Sequence, residues 1–289
     1  MKRPKITVVG SINMDLVTET DQFPVQGETV RGSQFQTVPG GKGANQAVAA
    51  ARLGADVTMV GCVGDDEFGV ELLNNFNNEG IDSSLIKQIP NTSSGLANII
   101  LSDQDNRIII IGGANEHVTP EYLDQVKKSI LNSDYVLLQF EIPKETITYC
   151  IDLCDQHNIP LIVNPAPAMD LSPKLWERVQ YITPNETEHK QLFNETFNDQ
   201  LIVTKGNEGT SYSEEGKEQL VPSFNVDVVD TTGAGDTFNG ALAVSLGEGK
   251  NLREAIEFAN AAASLSVQHM GAQSGMPSKS EVKKLIDSE

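Results

Sequence analysis

The sequence predicts an α/β fold in which a doubly wound, mostly parallel sheet is flanked by helices. The first observation is a series of short aliphatic runs, at 6–10, 57–61, 135–139, 160–164, 179–183 and 201–206. Uninterrupted apolar runs of this length are typical of strands that are covered on both faces. The second observation is that helical patterns lie between these runs, which indicates parallel strands joined by crossover helices.

Three of the predicted helices have recognisable ends. Thr119 and Pro120 form an N-cap followed by proline at the first helical position, and Pro143 opens a second helix. The alanine-rich segment 44–53 stops at Gly54, and glycine commonly follows the last turn of a helix. These boundaries support the alternation of strands and helices.

Two stretches break this alternation, at 16–38 and 95–111. Both contain short strand-like segments, and turn residues at 102–106 interrupt the second. Neither stretch has room for a crossover helix, so antiparallel pairing is the simpler interpretation. We therefore predict one domain over 1–289, with a small separate β-sheet that covers the site as a lid and takes its strands from about 12–38 and 95–112.

Composition and charge exclude several classes of protein. Of the 289 residues, 39% are hydrophobic, 21 are Lys or Arg and 40 are Asp or Glu, so the formal net charge is −19. Such a charge repels phosphate backbones and acidic lipids, so we expect no nucleic-acid and no membrane partner.

The three cysteines are too few for a disulfide framework, and Cys150 and Cys154 are expected to be buried thiols. No signal peptide or membrane-length apolar run is evident, which predicts a cytoplasmic protein.

A first glycine-rich segment, 38–46, directly precedes the alanine-rich helix. Its three glycines would allow close approach of a ligand to the backbone, and the helix start would present N–H groups. Asn45 lies in the first turn, where its amide could reach a hydroxyl. A tight strand-to-helix turn would explain the same residues, so the segment alone leaves both interpretations open.

A second glycine-rich segment, 229–240, follows the strand-like run 224–229 and opens an apolar helix at 238–246. Consecutive glycine amides at a helix start form a positively polarised hollow for anions. Asp236 lies inside that hollow, where its carboxylate would repel a bound phosphate. It could accept a proton from a hydroxyl while the amides stabilise a phosphoryl group. The alternative is an ordinary acidic residue that stabilises the first helical turn.

Polar residues follow several of the predicted strands. They are Asn13, Asp15, Glu141 and the segments 164–167, 183–188 and 204–206. Open α/β sheets bind their ligands beyond the carboxyl ends of the strands. Any one of these residues could be an ordinary loop residue, but their repetition predicts a binding site at this edge. The four histidines are scattered, and no His/Cys cluster has metal-site spacing.

Taken together, these segments resemble the signatures of the ribokinase family of sugar and nucleoside kinases. The resemblance runs through nearly the whole chain. The N-terminal signature is similar to 40–47 continued by 61–69, and the more specific C-terminal signature is similar to 230–238. The resemblance implies transfer of the ATP γ-phosphoryl group to the 5-hydroxyl of D-ribose, which gives ribose 5-phosphate. A family kinase for deoxyribose, another sugar or a nucleoside is the alternative, and a non-catalytic sensor is a third hypothesis. The resemblance to the family also implies a β-sheet lid through which two chains form a homodimer.

The resemblance further implies individual roles. Asp236 would be the catalytic base, and Gly233, Ala234 and Gly235 would form the anion hole. The sugar hydroxyls would be held by Asn13, Asp15, Gly41, Lys42, Asn45, Glu141 and Asp236. The nucleotide would lie against Asn185, Thr204, Gly206, Gly209, Gly235 and Asn260.

Two cations are implied in the same way. Glu188 would organise Mg²⁺ through water, and an activating monovalent cation, usually K⁺, would lie near Asp230, Thr232, Ser266, His269 and Gly271. The sequence departs from the family pattern at two places. Gly275 stands where serine is usual, which would remove a hydroxyl near the monovalent cation. The connection 189–200 is shorter than usual, since the family commonly has another helix there.

Overall fold

The computed structural model describes residues 3–102, 105–194, 196, 198–214 and 216–288. Residues 103 and 104 of the predicted turn lie outside the described residues. The strands are β1 Lys5–Val9, β2 Asn13–Thr20, β3 Gly32–Gly40, β4 Asp56–Gly64, β5 Ile86–Ile89, β6 Gly95–Ser102, β7 Asp105–Ile111, β8 Tyr135–Gln139, β9 Leu161–Asn164, β10 Tyr181–Ile182, β11 Ile202–Thr204, β12 Thr210–Glu214 and β13 Lys217–Val221.

The helices alternate with these strands. They are α1 Lys42–Arg52, α2 Glu67–Asn78, α3 Pro120–Ile130, α4 Lys144–Gln156, α5 Pro173–Trp176, α6 Glu186–Phe193, α7 Ala234–Gly247, α8 Leu252–Ser266 and α9 Lys279–Asp287. Within the described residues, no helix combines the length and the apolar composition of a membrane span.

The predicted parallel sheet is confirmed. Its six strands lie in the order β10-β9-β8-β1-β4-β5, and all neighbouring pairs are parallel. Ile6 and Val8 belong to one buried hydrophobic cluster, with residues of α1, α7 and α8, while Val9 belongs to a second cluster, with residues of α3 and α4. Because side chains alternate along a strand, apolar residues on both faces require helices on both sides.

The shortened connection is accommodated by α6. A parallel bridge joins Ile182 to Leu201, and β11, β12 and β13 continue beyond β10 as an antiparallel sheet. The eight residues of α6 provide the crossover, and Asn194, with a φ of 49°, ends the helix. One short helix is therefore sufficient to reach the next strand.

The small sheet is also present, with a different central pairing from the simplest expectation. Its order is β3-β2-β6-β7. The outer pairs β2–β3 and β6–β7 are antiparallel, as predicted, whereas the central pair β2–β6 is parallel. The parallel pair is possible because the chain passes through the main sheet between β2 and β6.

The prediction of a strand over 224–229 is wrong. No strand lies between Val221 and the start of α7 at Ala234. The Phe224 amide donates to the side chain of Ser264, and the amides of Val229 and Asp230 donate to the carbonyl of Val267. Of the apolar side chains in this segment, Phe224 is buried, whereas Val228 and Val229 are 61% and 58% exposed. These three amides therefore bond to α8 and to the residue that follows it, and not to a neighbouring strand.

Helices α1 and α7 approach each other closely. A Cβ atom built on Gly240 would lie 2.7 Å from the Cβ of Ala49, so only glycine allows this separation. The contact brings the first turns of the two helices together, and these turns carry Asn45 and Asp236.

Candidate active site

The first glycine-rich segment forms the junction between β3 and α1. Gly41 has a φ of 89°, and a Cβ atom there would lie 2.7 Å from the Asn13 amide nitrogen. Glycine therefore permits both the positive φ and the close approach to β2. Its position places the first turn of α1 against the start of the small sheet, where Asn13 and Asp15 lie.

Glu141 joins this junction to the end of the main sheet. Its Oε2 accepts hydrogen bonds from Ser11 Oγ at 2.6 Å and from the Lys42 amide at 3.1 Å. Ser11 Oγ in turn accepts from the Gly43 amide at 3.3 Å. The carboxylate is thereby fixed beside the helix start, although 99 residues separate Lys42 from Glu141.

Asp236 lies in the first turn of α7 and is only 7% exposed. Its Oδ2 accepts from Asn45 Nδ2 at 3.0 Å, and its Oδ1 accepts from Gln46 Nε2 at 3.1 Å. Burial raises the pKa of Asp236, while Lys42 and the two amide donors act to lower it. The carboxylate is thus held by neutral donors, with one cationic side chain nearby.

Four carboxylates surround Lys42. Burial acts to lower its pKa, but Asp236, Glu141, Glu188 and Asp15 together raise it. Burial, with the charges of Glu141 and Asp236, raises the pKa of Asp15 to about 7, although Lys42 partly opposes this. The site is therefore strongly acidic, and Lys42 compensates part of the repulsion.

Two adjoining cavities meet near Asp236. The smaller, of about 230 Å³, is lined by Glu188 and by two of the residues predicted for the sugar, Lys42 and Asp236. The other residues predicted for the sugar are not in its wall, namely Asn13, Asp15, Gly41, Asn45 and Glu141. The larger, of about 640 Å³, has all six residues predicted for the nucleotide in its wall, namely Asn185, Thr204, Gly206, Gly209, Gly235 and Asn260. Both cavities share Asn185, Thr204, Thr231 and Gly235. A group bound in one could therefore reach a group bound in the other.

Two of the predicted nucleotide residues also hold the cavity wall in place. Asn185 caps α6 by accepting from the Glu188 amide at 2.8 Å, and its own amide donates to Glu188 Oε2 at 2.9 Å. Asn260 accepts from Thr210 Oγ1 at 2.7 Å and donates to the Val221 carbonyl at 2.9 Å. Burial raises the pKa of Glu188, and the hydrogen bond from Asn185 and the charge of Lys42 act against this.

The predicted anion hole forms the start of α7. Gly233 has a φ of 78°, and a Cβ atom there would lie 2.7 Å from the Cβ of Ala272. A Cβ atom on Gly235 would have no described neighbour within 4 Å, and this residue faces both cavities. The Ala234 amide, however, donates to the Thr231 carbonyl at 3.2 Å, so this amide is engaged within the loop.

The residues predicted for the monovalent cation lie in neighbouring loops. Asp230 Oδ1 accepts from the Thr232 amide at 2.9 Å, and Oδ2 accepts from the Gly271 amide at 2.8 Å. These bonds lower the pKa of Asp230 against the effect of its partial burial. A Cβ atom on Gly275 would lie 2.2 Å from the Ser266 carbonyl oxygen and 3.4 Å from the His269 Cβ. A serine at 275 would therefore collide with the backbone.

Sequence reasoning assigned no role to five polar residues around the site. Ser11, Gln46, Asn115, Gln139 and Gln273 are all buried. Asn115 Nδ2 donates to Asn13 Oδ1 at 2.7 Å, and Gln273 Nε2 donates to Asn45 Oδ1 at 3.0 Å. Two of these five could have been found from their positions in the sequence, because Gln46 lies inside the N-terminal signature and Ser11 directly follows the first strand. Asn115 and Gln273 carried no such signal, because only the fold brings them to the site.

The fold and this acidic, two-cavity site define an α/β kinase that phosphorylates a small hydroxylated molecule. A buried carboxylate at a helix start lines a small polar cavity, and this cavity adjoins one large enough for a nucleotide. The sequence profile of the pfkB family carbohydrate kinases matches residues 3–279. The chain belongs to this family.

Individual relatives agree with the family assignment. A ribokinase of Bacillus subtilis is 50% identical, over 97% of this chain and 99% of its own. A solved structure of Arabidopsis thaliana ribokinase complexed with ribose and ATP has a TM-score of 0.91 at 34% identity, and the match covers 99% of both chains. A deoxyribokinase of Salmonella typhimurium is 36% identical, over 94% of this chain and 95% of its own.

Proposed function

We propose that this protein transfers the γ-phosphoryl group of ATP to the 5-hydroxyl of D-ribose, giving ribose 5-phosphate and ADP. The observation that carries the proposal is the position of Asp236. Its carboxylate lines the smaller cavity, next to Gly235 at the boundary with the larger one. A sugar hydroxyl in the smaller cavity and a triphosphate in the larger would meet at this carboxylate. The 50% identity to a ribokinase supports ribose as the acceptor.

The reaction follows from this arrangement. The 5-hydroxyl oxygen attacks the γ-phosphorus, the bond from that phosphorus to the β–γ bridging oxygen breaks, and the electron pair leaves with ADP. The hydroxyl proton passes to a carboxylate oxygen of Asp236 and afterwards to solvent. Amides at the start of α7 stabilise the charge that develops on the phosphoryl oxygens. Burial raises the pKa of Asp236, which makes the carboxylate a stronger base.

The sugar is held by side chains that accept or donate hydrogen bonds to hydroxyls. In this proposal they are Asn13, Asp15, Lys42, Asn45 and Glu141, with the Gly41 backbone. Asn13 and Asp15 belong to the small sheet, whereas Lys42 and Asn45 belong to α1. Sugar binding would therefore link the small sheet to the main domain, and we propose that the small sheet closes over the sugar as a lid. Closure would exclude water before transfer.

ATP-dependent kinases of this kind use Mg²⁺ with the nucleotide, and the residues present fit such an ion. Glu188 offers a carboxylate in the smaller cavity. Among the described residues, no cluster of three or more His, Cys, Asp or Glu side chains could form a protein-only metal site. One carboxylate together with phosphate oxygens and water is a common environment for Mg²⁺. When bound, Mg²⁺ neutralises charge on the β- and γ-phosphates.

We further propose that a monovalent cation such as K⁺ activates the enzyme from the loops that adjoin α7. Asp230, Thr232 and Gly271 are joined by hydrogen bonds, and Ser266 and His269 lie beside Gly275. The Asp230 carboxylate would supply the charge. Gly275 contributes no side-chain oxygen, so the remaining ligands would be Ser274, backbone oxygens or water.

The small sheet also supports a homodimer. Four consecutive isoleucines of β7, 108–111, are each between 42% and 62% exposed, and Phe35 of β3 is 65% exposed. Apolar side chains on an edge strand and its sheet are typical of surfaces that pair with another chain. We propose that two copies join through this sheet.

The use of ATP and the three buried free cysteines support a reduced, cytoplasmic location.

A panel of acceptors tests the proposed activity. Purified protein with ATP and Mg²⁺ would be assayed against D-ribose, 2-deoxyribose, fructose and adenosine by measuring ADP release. We expect the highest kcat/KM with D-ribose. The deoxyribokinase relative makes deoxyribose the competing acceptor. Faster turnover of deoxyribose or adenosine would reject ribose as the substrate, and binding without turnover of any acceptor would indicate a sensor.

A further inference from the structure

Behind Asp236 lies a chain of buried amides that the proposed reaction does not use. Gln46 is on α1 and Gln139 is the last residue of β8, and both side chains are 0% exposed. Gln139 Nε2 donates to Gln46 Oε1 at 2.6 Å, and Gln46 Nε2 donates to Asp236 Oδ1 at 3.1 Å. Two fully buried glutamines in an apolar interior are costly unless they are well paired, so their presence requires an explanation.

The direction of these hydrogen bonds is set at the Asp236 end. A carboxylate accepts hydrogen bonds, so Gln46 must present its NH₂ group to Asp236 and its carbonyl to Gln139. Gln139 must then present its own NH₂ group to that carbonyl. Its remaining oxygen, Oε1, is buried and has no hydrogen-bond partner among the described residues. A buried acceptor without a partner is unfavourable, so this orientation is explained by the hydrogen bonds at the Asp236 end.

We infer that Gln46 is the positioning residue of the catalytic carboxylate, and that Gln139 fixes the orientation of the Gln46 amide. This inference rests on the proposed function, in which Asp236 takes the proton of the sugar hydroxyl. Gln46 holds Oδ1 from the protein interior. Oδ2, which contacts Asn45 at the sugar side, is left to receive the proton.

Gln46 is placed differently from the groups that carry charge near Asp236. Those groups are Lys42 on α1, Glu141 after β8, Asp15 on β2 and, acting on Lys42, Glu188 on α6. Gln46 is neutral, and it is absent from the walls of both cavities. It also donates to Asn164 Oδ1 at 3.3 Å, which holds the end of the amide in place. Its effect on the reaction therefore passes through Asp236 and does not require contact with the sugar.

The test replaces Gln46 by methionine, which has a similar length and no hydrogen-bonding amide. A hydrogen bond to a carboxylate stabilises the ionised form, so Gln46→Met raises the pKa of Asp236. We measure kcat against pH at saturating ribose. We expect the acid limb of this pH profile to lie about one pH unit higher in the variant. We expect kcat to fall by about 10- to 100-fold and the KM for ribose to change by less than about threefold.

Gln139→Met provides a second measurement if the first variant is poorly folded. This variant frees the Gln46 amide to rotate. We therefore expect the acid limb to shift in the same direction as in Gln46→Met, but by less. The double variant should behave like Gln46→Met alone, because both residues act through one hydrogen bond. Gln200→Met is the matched control. Its amide donates to the carbonyls of Trp176 and Val179, so it should lower the thermal midpoint without moving the acid limb.

An unmoved acid limb in folded Gln46→Met, or in folded Gln139→Met if the first variant does not fold, would overturn the inference. Additive effects in the double variant would also overturn it. A failure of the proposed function is recognised separately: the unmodified protein would then not turn over D-ribose fastest in the acceptor panel, or Asp236→Asn would retain the turnover of the unmodified enzyme.

Discussion

Replacement of Asp15 by asparagine should stabilise the sugar-free protein at neutral pH while it weakens sugar binding. Asp15 is half-buried on β2, and a Cβ atom built on Gly40 would lie 2.3 Å from its Oδ2. Burial and the charges of Glu141 and Asp236 raise its pKa from 3.8 to about 7. The folded protein therefore disfavours the ionised form of this residue, and asparagine removes that charge at nearly the same size.

The expected gain in the free energy of unfolding follows from the difference between the pKa of Asp15 in the folded chain and its pKa in the unfolded chain. Below pH 3.8 the carboxyl is protonated in both the folded and the unfolded chain, so it has no effect on their balance. Between 3.8 and about 7 the unfolded chain ionises first, and stability falls as the pH rises. Each pKa unit corresponds to about 1.4 kcal/mol, so the full difference is about 4 kcal/mol. Partial access of water reduces this, and we expect about 2–4 kcal/mol above pH 7.

The assay is urea unfolding of the unmodified protein and of Asp15→Asn, at pH 5 and pH 8.5 without ribose. The variant should be the more stable at both values, with the larger advantage at pH 8.5. Its KM for ribose should rise by about 10- to 100-fold, because a charged acceptor of hydroxyl hydrogen bonds is lost. An advantage that is equal at the two pH values would refute the reasoning, since the carboxyl would then titrate alike in the folded and unfolded chains.

Three further predictions follow from other parts of the structure. Asp236→Asn should lower kcat by about 10²–10⁴-fold, while ribose binding, followed by calorimetry, persists; comparable losses in both would contradict the proposed role of Asp236 as base. Gly240→Ala should reduce the free energy of unfolding by about 1–3 kcal/mol and lower kcat, because the added Cβ separates α1 from α7; unchanged urea unfolding would count against this contact. Ile109→Lys should convert the proposed dimer to a monomer in sedimentation velocity, and an unchanged sedimentation coefficient would reject the proposed interface.

The sequence by itself determined the fold class, and it predicted residues that the fold places around one pair of cavities. Apolar runs that alternate with capped helices predicted the parallel sheet, because local periodicity depends directly on which faces are buried. The glycine-rich segments were recognisable because positive φ values and close backbone contacts at Gly41 and Gly233 require glycine at these positions. The six residues predicted for the nucleotide then all line one cavity. Asn185 and Thr204 are close because a parallel bridge joins them at one edge. Gly235 and Asn260 reach the same cavity from α7 and α8.

Only the tertiary structure decided the features that depend on distant pairs. The apolar run 224–229 looked like a strand, but contacts with α8 and Val267 replace the sheet hydrogen bonds. The link from Gln139 to Asp236 joins residues of three elements, and no local pattern contains it. The same is true of the pKa of Asp15, which depends on charges brought near it by folding. Hydrogen bonds and electrostatic interactions act through space, so their strength is set by the packing of elements far apart in the chain.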